Sequence, residues 1–269
     1  VESMPVTSVP VDAAKTMNQW QHDHGYSKQV IKPLPPPTVH NFATHLTTVP
    51  DWEHPMYYGL KFMAPHPTVL SAIAAGIVVA TDGSAPDKAS FGWIIASKVG
   101  VRLVSCFGPT FGYSPSSYRA EGYGMLSPLN FLNRFLAFYT TSEQAPFTLH
   151  CDNQSLVNNV NNHTPYCNDY YPNFTQTADW DLVHEIALAA KVLPNAPSFQ
   201  HIKGHQDQKR PLAQLSLAAR LNIEADHLAD EYMQHHHDQH RKVLRLPSNH
   251  AQLHLPQGTI TNKLKRELT

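Results

Sequence analysis

The sequence predicts an α/β domain with a five-stranded mixed sheet flanked by helices. Three observations predict it. Five short runs rich in Val, Ile, Leu and Phe have strand length and are bounded by turn residues. Between the later runs, apolar residues recur every three to four positions, which is the helical period. Two of the strand-like runs end on aspartate, Asp82 and Asp152. From there a side chain reaches the crevice at the carboxyl ends of the strands of an open α/β sheet.

Ordered texture begins at Gly76. Gly76–Thr81 is a buried strand rich in Val and Ala. Ser90–Ser97, with Phe91, Trp93 and Ile95, and Val101–Phe107 are two more, joined by a turn at Val99-Gly100. The three read as an antiparallel meander. A helix capped by Ser116 or Ser117 reaches Phe138, with Leu126, Leu129, Phe131, Leu132 and Phe135 as its apolar stripe and a kink expected at Pro128. Pro146–Cys151 is the fourth strand, Gln154–Asn161 a short helix, and residues 162–178 a polar insertion. Asp179–Val192 is amphipathic, and Asp179 and Asp181 read as acids complementing the helix-start dipole. Ser198–Ile202 is the fifth strand. Asn222–Gln234 is the last helix, with His235-His236-His237 at its carboxyl end.

Residues 1–70 read as an irregular upstream connector. The run Pro35-Pro36-Pro37 favours extended polyproline structure, Tyr57–Phe62 is a short strand, and Val69–Ala75 a short helix. The domain proper is expected over residues 71–241. Residues 242–269 then form a tail or short hairpin turning at Pro256-Gln257-Gly258.

A chain of 269 residues holds one large or two small domains, and 42% hydrophobic content supports a real core. The formal net charge of −1 supplies no global basic field, so any nucleic-acid contact needs a local one. Cys106, Cys151 and Cys167 are odd in number and lack metal-ligand spacing. They argue against a disulfide framework and for an intracellular, reducing compartment. No signal peptide and no membrane-length apolar run is present, so no membrane partner is expected. The first residue is Val, which fits a piece of a longer chain.

Four acids carry the chemistry: Asp82, Glu121, Asp152 and Asp226. Two stand at strand ends, and two near the start of helices, in Ser117-Tyr118-Arg119-Ala120-Glu121 and Asn222-Ile223-Glu224-Ala225-Asp226. Together they can make the all-oxygen cage that hard cations prefer. Each also has a bland reading. Asp82 in Asp-Gly-Ser can be a turn former, Glu121 a dipole complement, and Asp152 an N-cap. Asp226 has rivals in Glu224 and Asp230.

Thr81-Asp82-Gly83-Ser84, Tyr118-Arg119-Ala120-Glu121, Cys151-Asp152-Asn153-Gln154, Lys203-Gly204-His205 and Asn222–Ala229 stand in the order of the ribonuclease H family motifs, and the chain resembles that family from Gly76 to His240. Gly204-His205-Gln206-Asp207 and Ala178-Asp179-Trp180-Asp181 look more like the ribonuclease H regions of retroelement reverse transcriptases. The resemblance implies a sheet of order 3-2-1-4-5. It implies two Mg²⁺ ions, with Mn²⁺ able to substitute. Asp82 bridges them, Glu121 and Asp152 serve one, and Asp226 serves the other. His205 assists by proton management or product release. Gly83, Ser84, Ser116, Ser117, Asn153, Gln154 and Asn222 contact substrate. The implied activity is endonucleolytic cleavage of the RNA strand of an RNA–DNA hybrid. The implied setting is a retroelement polyprotein with a reverse transcriptase region on the same polypeptide. The alternative is a non-catalytic hybrid-binding or connection domain. Such domains typically lose some carboxylates, and here all four are kept.

The acid order also speaks against two related nuclease classes. Transposases and integrases place their Glu after the second Asp. Proofreading exonucleases have Asp-x-Glu on the first strand, where this chain has Ser84. One departure from the family pattern is the stretch Gln206–Ala225, 20 residues between His205 and Asp226. Within it, the loop Gln206–Leu221 either re-aims His205 or brings Lys209, Arg210 or Arg220 to phosphates.

Overall fold

Along the strands, large apolar residues alternate between two faces, and each face is covered by helix. The computed structural model describes residues 41–85, 89–112, 116–167, 177–235, 246–248, 253–255 and 258–260. In chain order the elements are α1 (Phe42–Leu46), β1 (Lys61–Phe62), α2 (His66–Ala75), β2 (Ile77–Ser84), β3 (Ser90–Ser97), β4 (Arg102–Pro109) and α3 (Ser117–Phe138). Then come β5 (Thr148–Cys151), α4 (Gln154–His163), α5 (Trp180–Val192), β6 (Ser198–His201), α6 (Leu217–His235), β7 (Leu253–Leu255) and β8 (Gly258–Ile260).

The main sheet has the order β1-β4-β3-β2-β5-β6. β2, β3 and β4 are the predicted antiparallel meander, and β5 and β6 run parallel to β2. The implied order 3-2-1-4-5 is therefore present, with one correction: a sixth strand, β1, pairs with the outer edge of β4. β1 falls at the end of Tyr57–Phe62, the run read from the sequence as a short strand, and only its last two residues pair.

Ile77, Val79, Trp93, Ile95 and Leu149 face one side of the sheet and pack with Leu126, Leu129, Leu132 and Phe135 of α3. Ala80, Ile94 and Ala96 face the other and meet Leu221, Leu217 and Leu228 of α6. The period of two along a strand thus separates α3 from α6 by the thickness of the sheet. Ser116 caps α3 by accepting from the Arg119 amide, and the helix runs on through Pro128.

The irregular stretch expected as far as residue 70 is ordered from Phe42 onward. Phe42, Val49, Met56 and Tyr57 are buried in the main core. Phe42 lies edge-on to Phe131, Phe135 and Phe138 of α3. Glu53 receives two hydrogen bonds from Arg134, at 2.9 and 2.6 Å, and one from Tyr57. Downstream, Leu246 joins the same core, and the Ser248 amide donates to Glu185 at 2.8 Å. β7 and β8 form a separate two-stranded sheet. Residues 1–40 with the polyproline run, the middle of the polar insertion, and His236 and His237 lie outside the described residues.

Candidate active site

Thr81 of β2 is the register partner of Cys151 of β5, so Asp82 and Asp152 each follow one residue after the same rung of a parallel pair. Asp152 does not cap the helix after it. Asn153 does, accepting from the Leu156 amide at 3.1 Å. Asp226 stands on α6 a turn past Asn222, while Asp230 is exposed. Asp82, Glu121, Asp152 and Asp226 line one open crevice of about 570 Å³, with Gly83, Ser84, Ala85, Ser117, Asn153, Gln154 and His205. The helices bearing Glu121 and Asp226 lie on opposite faces of the sheet. Their carboxylates meet past the Thr81–Cys151 rung, where the pairing of β2 with β5 stops.

Three glycines permit that meeting. A Cβ on Gly83 would lie 2.3 Å from the Glu121 amide nitrogen. A Cβ on Gly92, the cross-strand partner of Asp82, would lie 2.1 Å from the Ala225 carbonyl oxygen. Hydrogen in place of a methyl group thus lets α3 press on one face and α6 on the other. On Gly204 a Cβ would lie 2.2 Å from Asp152 Oδ2, so the absent side chain leaves the second aspartate its place.

Asp82 is 6% exposed and Glu121 4%. Asp82 accepts hydrogen bonds from the Gly83 amide at 2.7 Å and from Asn222 Nδ2 at 3.1 Å. Burial, then the nearby charges of Asp152 and Asp226, push its pKa up to about 8. Burial, followed by the charge of Asp82, pushes Glu121 well up as well. Burial, then Asp230, raises Asp226. The crevice lining contains no Lys or Arg among the described residues. Crowded carboxylates without a cation are what a multivalent cation would relieve, so the donor set fits a metal.

Ligand atoms of Glu121, Cys151 and Asp152 lie within 4.8 Å of one another, a group able to hold an ion. Cysteine spacing alone does not reveal this neighbourhood. Burial and the charge of Glu121 raise the Cys151 thiol well above its usual range. It therefore stays protonated and donates to Glu121 Oε2 at 3.5 Å, leaving the oxygens as the donors.

His205 lines the crevice despite the long loop that follows it. Its side chain is 60% exposed, with Nδ1 3.7 Å from Asp226 Oδ2. Its backbone lies in the left-handed region, φ 47°, which histidine adopts more readily than most residues.

Two residues implied as substrate contacts are not among those lining the crevice. The Ser116 hydroxyl accepts from the Arg119 amide as the cap of α3. Asn222 is 1% exposed and donates to Asp82 and to the Thr81 carbonyl, so it orients a carboxylate instead of facing substrate.

Asp179 and Asp181 do stand at the start of α5, as its N-cap residue and in its first turn. They are also the buried partners of Arg119, which stands two residues before Glu121. Arg119 reaches Asp179 Oδ1 at 2.9 Å and both Asp181 oxygens at 3.0 and 2.9 Å, and its Nε donates to the Phe111 carbonyl. A buried guanidinium needs such a pair, and two acids side by side supply it. This ties the Glu121 end of α3 to the start of α5. The sequence signal was an arginine inside a helical motif otherwise rich in small residues, but its partners are 60 and 62 positions away.

A smaller cavity of about 190 Å³, lined by residues including Asn159, His163, Trp180 and Val183, holds none of the four acids. Among the described residues, no helix is long and apolar enough to cross a membrane.

No family model matches the chain, and no curated protein matches it either. Solved structures do. The prototype foamy virus protease-reverse transcriptase is 19% identical with a TM-score of 0.40, over 58% of this chain and 20% of that one. The solution structure of the PFV RNase H domain is 22% identical with a TM-score of 0.42, over 58% of this chain and 92% of that one. A foamy viral protease-reverse transcriptase in complex with RNA/DNA hybrid is 14% identical with a TM-score of 0.36, over 77% of this chain and 23% of that one. The chain thus spans about a fifth of the length of the full foamy virus proteins it matches.

Proposed function

We propose that this chain is a metal-dependent nuclease that hydrolyses the RNA strand of an RNA–DNA hybrid. The observation that carries the reading is the meeting of four carboxylates, from two strand ends and two helices, in one crevice without a cationic side chain. The choice of hybrid as substrate rests on the motif resemblance.

Carboxylate oxygens favour hard ions, so Mg²⁺ is the expected metal and Mn²⁺ a substitute. Two divalent ions held by Asp82, Glu121, Asp152 and Asp226 supply, when bound, an activated water and stabilisation of the leaving oxygen. The protein's own groups do the rest. The Gly83 amide and Asn222 hold the Asp82 carboxylate in one orientation, and the Cys151 thiol does the same for Glu121. His205, exposed at the crevice edge beside Asp226, is placed to exchange a proton with solvent. The hydroxyls of Ser84 and Ser117 line the crevice, as does the Asn153 amide, whose oxygen is engaged in capping and whose nitrogen is left to donate. Such donors suit the 2′-hydroxyls and phosphates of an A-like minor groove.

The test is hydrolysis of an end-labelled RNA–DNA hybrid with Mg²⁺, with chelator, and by Asp152→Asn. The reading expects cleavage with Mg²⁺ and none with chelator. Asp152→Asn should cut orders of magnitude more slowly without a lower melting temperature. Near-full cleavage by that variant would refute the metal site. Tight hybrid binding without cleavage by the unaltered chain would select the non-catalytic binding domain instead.

A further inference from the structure

A crevice lined by four carboxylates repels a polyphosphate strand, and the chain as a whole has a net charge of −1. Cations for the substrate backbone must therefore come from the rim. Arg102, Arg119 and Arg134 are committed to Glu224, to Asp179 with Asp181, and to Glu53. Lys98 stands beside Gly76, at the end of β2 away from Asp82.

The long loop after His205 differs. Lys209 and Arg210 follow His205 by four and five residues, and both are exposed. Neither makes a side-chain hydrogen bond or ion pair among the described residues. Their backbone is held in place: both amides donate to the Gln206 carbonyl at 3.1 Å, and Gln206 Nε2 donates back to the Lys203 carbonyl at 2.7 Å. The far end of the loop is pinned by Leu215, which packs with Ala219, Ile223 and Ile202 in a small separate core. Asp207 is the one acid in the loop.

We propose that the loop following His205 is a phosphate-binding platform, in which Lys209 and Arg210 contact the backbone of the nucleic acid whose scissile bond enters the crevice. The proposal rests on the nuclease reading above. Because the loop is pinned at both ends next to His205, it fixes the strand's register without reading its sequence.

The experiment measures binding of a fluorescent RNA–DNA hybrid between 50 and 200 mM salt, in an Asp152→Asn background so that the hybrid stays intact. Each neutralised phosphate contributes about 0.9 to the slope of log affinity against log salt. Lys209→Ala with Arg210→Ala should make that slope shallower by about 2, so that about tenfold less affinity is lost across the range. Lys98→Ala should leave the slope unchanged. Reversal to Lys209→Glu with Arg210→Glu should weaken binding further at low salt. Both side chains are exposed and unbonded, so an unchanged melting temperature will certify the fold. If the background protein binds hybrid and the double alanine variant shows the same slope, the platform is refuted and the nuclease reading stands. If the unaltered chain neither binds nor cuts hybrid, the nuclease reading falls and this proposal with it.

Discussion

Replacing Asp82 by Asn should stabilise the metal-free protein, and the gain should depend on pH. In the fold, burial and the neighbouring carboxylates raise Asp82 from 3.8 to about 8. The folded state therefore holds a proton that the unfolded state releases between these values. The stabilisation linked to that proton is complete below about pH 4 and lost as pH rises through about 8. At pH 7 the fold has lost about 3 units' worth, or about 4 kcal/mol at 1.36 kcal/mol per unit. Asparagine does not titrate; its amide oxygen can still accept from the Gly83 amide, while the bond from Asn222 to the second oxygen is lost at every pH alike. Between pH 4 and pH 7 to 8, metal-free Asp82→Asn should thus gain about 10 °C relative to wild type. Saturating Mg²⁺ should raise the wild-type melting temperature at pH 7 much more than the variant's. The assay is calorimetry or circular dichroism on chelator-treated protein across pH. Parallel stability curves for the two proteins would show that Asp82 carries no uncompensated charge, and the electrostatic account of the crevice would fail.

Arg119→Met should destabilise the protein by about 3–5 kcal/mol in denaturant titration, because Asp179 and Asp181 would stay buried without their counter-charge. A loss under 1 kcal/mol would mean the triad does not hold α3 to α5. Gly204→Ala should lower Mg²⁺ affinity and cleavage with little change in stability, since the new methyl displaces Asp152 and not the core. Unaltered metal titration would contradict it. A chain cut to begin at Val69 should be much less stable than the full chain. It loses Phe42, Met56 and Tyr57 from the core, at about 2 kcal/mol for each such side chain, and leaves Arg134 unpaired. Equal denaturation midpoints would restore the boundary near residue 70.

Part of this molecule was legible in the chain alone. The strands of the meander and the helices after them follow from local periodicity and residue type. Both are properties of a dozen neighbouring positions. The choice of the four acids follows from the motif resemblance. Asp226 is preferred over Asp230 because Asn222 stands one turn earlier, as in the family motif that this stretch resembles.

Tertiary structure decided the rest. Asn222 turned inward to Asp82, not outward to substrate, because α6 lies close enough to the sheet for an amide to reach a carboxylate. Gly92 makes that approach possible, although in the sequence it is only a small residue in a strand. Asp179 and Asp181 look like helix-start acids and nothing more until α5 packs on α3 and brings a buried guanidinium to them. Residues 42–56 read as irregular because they have almost no periodicity of their own, and they are ordered because Phe42 and Met56 fill a core built by other elements. Sequence pattern reports what a segment can form by itself. Contacts between segments distant in sequence depend on the distance at which their surfaces meet, and side-chain volume sets that distance only once the layers are assembled.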